Sequence, residues 1–346
     1  MRIPAPSSDS TSTGRPPCDT QNQEEKTIKK IIALVIAVLS LSLVLADACA
    51  QTVAIVQPMS HTSLDQIRET IVARLTADGY TVVTGNANGD TTALTTLLSN
   101  YAAEGIDLLI PIATSTVQAA KTVFEGTNTP IVFAAVSDPG AAGMTGESCE
   151  NITGVSNSIP AAEIAKLIYG FQPDCQKIGF LYTSSETNSV STINAAKAYC
   201  DGEGIAYEEA SIANLSELQT ACETLISRGV DALYTGNDNT IASAMALYTD
   251  TAYAAGIPVY CGADSMVADG GFATIGVNYV QLGDQVAALA EQILSGAAPS
   301  ALPYETLSEY AKFVNLQAAD RFGADFPESA YEGYSVLVEA DGTSHF

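Results

Sequence analysis

No tryptophan occurs in this 346-residue chain, histidine occurs twice, and Lys plus Arg number 14 against 39 Asp plus Glu. Each shortage closes off a class of function. Two histidines, His61 and His345, are too few for an ordinary zinc site, and no two cysteines stand at CxxC spacing. A formal charge of −25 repels nucleic acid and anionic membrane surfaces, and favours a soluble monomer. Also missing are GxGxxG, Walker A, HExxH and GxSxG sequences, so no cofactor is implied. His61, the sole mid-chain imidazole, has no evident Ser or Cys partner and reads as a binding or loop histidine. The expectation is therefore a protein that is not an enzyme. Apolar residues are not scarce: at 47% of the chain they are enough to fill real cores.

The first 48 residues stand apart. A basic cluster, Lys26-Thr27-Ile28-Lys29-Lys30, leads into an apolar run from Ile31 to Ala46, followed by Ala46-Asp47-Ala48. The run is short for a membrane span, and the small residues suit a cleavage site, so residues 1–48 read as a disordered segment plus a signal peptide. An exported protein, in the periplasm or at the cell surface, follows. Cys49 comes next, but Ala46 stands where a lipobox usually has Leu. Lipidation at Cys49 and simple cleavage after Ala48 both stay open. The leader carries five residues of each sign, leaving 9 basic and 34 acidic residues beyond it. Export permits disulfides. Cys175 precedes a strand and Cys200 sits late in the helix returning beside it, a candidate pair, with buried free thiols as the alternative.

What is present is a sentence written twice. GIDLLIPIATSTVQAAK begins at Gly105, and GVDALYTGNDNTIASAM begins at Gly229, 124 residues later. Strand-like and helix-like stretches alternate around each copy. The first set comprises strands 52–56, 81–85, 108–112 and 131–135 with helices 63–78, 91–104 and 115–124 between them. The second comprises strands 177–182, 206–210, 232–234 and 259–261 with helices 188–203, 215–228 and 240–255. Near-continuous apolar strands alternating with helices predict parallel sheets covered on both faces. The fold class is α/β, with two Rossmann-like lobes. A strand over 273–277, an amphipathic helix over 280–295, a strand over 312–314 and a helix over 316–322 remain. These suit segments that recross and complete both sheets. Lobe 1 is expected from 52–155 plus about 278–302, and lobe 2 from 160–275 plus about 308–340. The three crossings fall near Gly154–Pro160, Gly276–Tyr279 and Leu302–Leu307.

Open parallel sheets bind ligands beyond the carboxyl ends of their strands. Polar clusters occupy those ends in both copies: Pro58-Met59-Ser60-His61, Thr114-Ser115-Thr116 and Ser137-Asp138, then Ser184-Ser185-Glu186, Asn237-Asp238-Asn239-Thr240 and Asp264-Ser265. Any one cluster is explained by helix capping. Recurrence at matching places in both halves points instead to one cleft between two jaws. Thr114, Ser115 and Thr116 at a helix N-terminus suit a carboxylate. Asp238 or Asp264 suits an ammonium. Together they describe a zwitterion such as an amino acid.

At these residues the chain resembles a known family. IATSTVQAAK, PIVFAAVSDPGAAGM, NITGVSN, GFLYTSSETNSV, GNDNTIASA and IGVNYVQLG are similar, in order from about Val53 to Glu339, to ABC-transporter substrate-binding proteins of the TrpX-like family. The resemblance implies the type I periplasmic-binding-protein fold with a three-stranded hinge, amino-acid ligands, some of them aromatic, and an ABC permease as partner. It places ligand contacts at Ser60, His61, Thr114, Ser115, Ser137, Asp138, Ser184, Glu186, Asn188, Asp238, Asn239 and Asp264. Gly236-Asn237 departs from the Pro-Thr pair of a more typical member, leaving the ligand open. A sugar-binding protein of the same fold is the rival, disfavoured by the lack of Trp for ring stacking. A secreted enzyme on a Rossmann-like scaffold is the rival from another class.

Overall fold

The computed structural model describes Met1 and residues 51–146, 149–307 and 310–345. The expected signal segment and Cys49 lie outside them. Residues from Ala50 onward form one compact unit, which alone is described below. Among the described residues no helix is long and apolar enough to cross a membrane.

Two sheets organise the chain. The first has the order β11-β5-β4-β3-β1-β2, from strands β1 (Thr52–Gln57), β2 (Thr81–Asn86), β3 (Leu108–Pro111), β4 (Ile131–Ala134), β5 (Ile152–Ser156) and β11 (Glu305–Thr306). The second has the order β13-β12-β10-β9-β8-β6-β7. It is built from β6 (Lys177–Thr183), β7 (Ala206–Ile212), β8 (Ala232–Thr235), β9 (Val259–Cys261), β10 (Ala273–Gly276), β12 (Ala311–Asn315) and β13 (Ser335–Val338). All pairings are parallel except β10 with β12. In β1, Val53 and Ile55 join one buried cluster while Ala54 and Val56 join another, the alternation of a strand covered on both faces.

The chain passes between the sheets three times: between Ser156 and Ala161, between Gly276 and Tyr279, and between Thr306 and Ala311. The last passage comes later than the sequence suggests, because Glu305 and Thr306 still pair with Val155 and Ser156. Helix Tyr279–Leu294 returns to the first sheet and packs along helix Thr62–Ala77. Gly283 makes that approach close, since a Cβ there would lie 2.8 Å from Thr70 Cβ. Arg74 then clasps Glu291 through two bonds of 2.6 and 3.0 Å.

Several elements went unseen in the sequence: β5, helix Ala161–Phe171, the short helix Asp264–Ala268, β11 and β13. The helix expected over 240–255 is two helices, Asn239–Ala242 and Met245–Tyr253. Its first turn is held by Glu186 and Asp238, while the second piece buries Met245, Tyr248 and Ala252 in the core. The break at Ala244 lets each follow its own anchor. The Cys175–Cys200 disulfide is not formed. Both are free, buried thiols, and burial pushes each up to about 11. They serve as small core residues.

Candidate functional site

Between the carboxyl ends of the two sheets lies a small cavity of about 20 Å³. The first lobe lines it with His61, Ser63, Leu64, Ala113, Ala135, Ser137 and Asn157, and the second with Asn188, Asn237, Asp238, Asn239, Ala242, Ala263 and Met266. Tyr279, just past the second crossing, completes the wall.

Two of the lining alanines have unusual backbones. Among the described residues only Asn88, Ala113 and Ala135 are non-glycine residues with positive φ. For Ala113 (φ 71°) and Ala135 (φ 58°) that strain falls at the cavity, where it turns the chain sharply out of β3 and β4. Ala113 also caps helix Thr114–Val123 and offers no side-chain acceptor. The helix's first amides are thus uncapped, and Thr114 Oγ1 is buried without a partner. Uncapped N–H groups plus a spare hydroxyl make a receptor for an anion.

The two aspartates singled out in the second lobe differ in what they touch. Asp238 accepts from Thr183 N–H (2.6 Å), Thr183 Oγ1 (2.9 Å) and Ile241 N–H (2.9 Å). Burial, with Glu186 nearby, raises its pKa despite these donors. Asp264 is also buried, but its partners are local backbone amides, that of Ser265 at 2.8 Å and its own. Burial lifts it to about 6. A buried carboxylate held only by local amides gains much from an incoming cation. It lies between the lining residues Ala263 and Met266 and close enough to Tyr279 to raise the phenol's pKa.

Across the mouth the jaws touch directly. His61 Nε2 donates to Asn239 Oδ1 at 3.2 Å, and Asn239 Nδ2 donates to Glu186 at 2.7 Å. Burial lowers the His61 pKa and favours the neutral ring, against the pull of Glu186, Asp65 and Asp269. Thr62 donates to Asp269 (3.0 Å), Ser63 meets Ser265, and Ser191 donates to Asp138. At the back, Asn237 Nδ2 donates to the Asn157 carbonyl at 3.1 Å. Asn157 also takes the Ser137 hydroxyl at 2.9 Å and donates to the Tyr279 hydroxyl at 3.2 Å. The jaws are closed.

Of the residues named from the sequence, the structure puts His61, Ser137, Asn188, Asp238 and Asn239 on the cavity wall, and Thr114 and Asp264 immediately beside lining residues. It does not bring the others there. Ser60 is exposed and donates to Asp65; Ser115 is exposed on its helix; Ser184 is exposed and bonds the Ile212 carbonyl. Glu186 spends both oxygens on Asn239 and Thr240, and Asp138 caps Ala141 while meeting Ser191 at the rim. Sequence reasoning missed Asn157, Met266 and Tyr279 as lining residues, and put Asn237 in a cleft cluster without naming it a ligand contact. NITGVSN, GNDNT and IGVNY already carried three of them, at strand ends.

Two α/β lobes, three crossings and a closed polar cavity define a type I periplasmic binding protein, a fold that traps small solutes. The chain belongs to the ABC transporter substrate binding proteins, whose family model matches residues 52–341. A Vibrio cholerae protein described as a conserved domain protein is 30% identical, with TM-score 0.77 over 83% of this chain and 99% of that one. A Streptococcus pneumoniae ABC domain in complex with L-Trp is 29% identical, with TM-score 0.76 over the same shares. A tyrosine-binding protein of Clostridioides difficile (strain R20291) is 28% identical over 325 residues, covering 84% of this chain and 92% of that protein.

Proposed function

We propose that this protein captures a small zwitterion, an amino acid, outside the cytoplasm and hands it to the membrane subunits of an ABC importer. The observation that carries the reading is the division of charge receptors between the jaws. The uncapped helix at Thr114 in the first lobe suits a carboxylate, and the under-partnered Asp264 in the second suits an ammonium. The closed cavity, about 20 Å³, is far below the roughly 300–1,000 Å³ of occupied ligand sites, so the lobes must part to take a ligand in. Its walls mix small apolar residues, Leu64, Met266 and Tyr279 with polar groups from both lobes, a lining that suits an amphipathic solute. The names of two relatives support an aromatic amino acid. Tyr279 is the sole Phe, Tyr or Trp side chain among the lining residues, which disfavours a sugar stacked between two such rings. Mass spectrometry of the molecule released on unfolding, followed by calorimetry with that compound, tests the proposal. Release of a sugar, or of no amine-bearing acid with no amino acid binding on titration, would overturn it.

A further inference from the structure

Asn237 is built into the cavity with one half of its amide unused. Its Nδ2 donates to the Asn157 carbonyl in the other lobe at 3.1 Å, which fixes which end is which. The opposite end, Oδ1, is buried and accepts from nothing. Room for it comes from a glycine: a Cβ on Gly262 would lie 2.5 Å from Asn237 Oδ1. The chain therefore omits a side chain at 262 where the amide of Asn237 is seated.

An orphaned buried acceptor on a ligand-site wall is costly unless the ligand completes it. The receptors for the ligand's two charged groups lie elsewhere, at Thr114 and Asp264, so Asn237 Oδ1 is left for a third group. We propose that Asn237 selects amino acids whose side chain ends in a hydrogen-bond donor, and rejects isosteres that lack one. The inference rests on the amino-acid reading above. A site holding a polar partner in place discriminates strongly against an analogue without the matching group, whereas apolar walls tolerate either.

The pair L-tyrosine and L-phenylalanine differs by one hydroxyl and tests this by calorimetry on three proteins. The wild type should bind L-tyrosine at least tenfold more tightly than L-phenylalanine. Asn237→Leu, of similar size, should lose most of that ratio, whatever the lost bond to Asn157 does to the affinity for both compounds alike. Asn237→Asp keeps an acceptor at the same place and should keep the preference, even though it gives up the bond to Asn157. Equal affinity of the wild type for both compounds overturns the selection, and so does a preference that survives in Asn237→Leu or vanishes in Asn237→Asp. Binding of neither compound by the wild type, with another amino acid bound, also overturns it. Binding of no amino acid at all strikes instead at the reading beneath it.

Discussion

Asp238 grips Thr183 twice, taking its backbone N–H at 2.6 Å on one oxygen and its hydroxyl at 2.9 Å on the other. The carboxylate thereby ties the end of β6 to the helix that starts at Asn239, whose Ile241 amide it also caps. Removing it strands two buried N–H groups, each worth about 1–3 kcal/mol. Asp238→Ala should lose about 3 kcal/mol of stability, a fall in Tm on the order of 6–12 °C for a chain this size. Thermal unfolding without ligand checks this. An unchanged Tm would make Asp238 a ligand group and not a brace.

Asp264 is the opposite case. Its apo pKa of about 6 means a neutral acid below that pH and a carboxylate above it. A ligand ammonium pairs only with the charged form, so affinity should be greatest above pH 6. Below it, affinity should fall about tenfold per unit, with proton release on binding. Folding runs the other way, since the raised native value makes this group's contribution best at low pH and lost as pH rises through about 6. Asp264→Asn should bind roughly 30-fold or more weakly, on a cost of about 2–5 kcal/mol for a broken buried pair, and should flatten the profile. Calorimetry from pH 4.5 to 8 decides; a wild-type affinity independent of pH below 6 refutes the pairing.

Ser191 and Asp138 meet at the rim, away from the cavity wall. That bond exists only when the jaws are shut. Ser191→Ala should leave the association rate alone and quicken ligand release about fivefold, for roughly 1 kcal/mol of lost closed-state bonding. Stopped-flow measurements separate the two rates. A slowed association with normal release would place Ser191 on the entry path.

Cys175 and Cys200 should behave as spectators. Burial and raised thiol pKa values leave almost no thiolate at neutral pH. Reductant should not move the Tm, and alkylation at these positions should need denaturant. Failure of both to label in denaturant without reductant would reveal a bond between them.

The doubled architecture was legible because its signal is local and repeated. Gly105 and Gly229 open matching strand–helix units, and each unit's apolar period survives in isolation. The roles within the site were less legible. Asp238 stands on the cavity wall, as a carboxylate at a strand end suggests, but its two bonds to Thr183, 55 positions away, are not legible from residue type. Glu186, placed among the ligand contacts by its strand-end cluster and the resemblance, caps Asn239 and Thr240, partners more than 50 positions away. Asn157 went unnamed because its importance comes from the crossing it occupies, where both lobes lean on it. Partners distant along the chain assign roles that residue type alone does not.

The three crossings carry a consequence for how the polypeptide comes into being. No continuous stretch of it contains a whole lobe: β11 supplies the edge beside β5, and β12 lies between β10 and β13. Synthesis thus delivers the missing pieces of both halves in the final forty-odd residues. Such long-range pairings fold slowly. A nascent chain spends nearly its whole emergence without a finished half that would lock into shape. For any polypeptide that must be threaded through a narrow channel before it folds, that lateness keeps it threadable to the end.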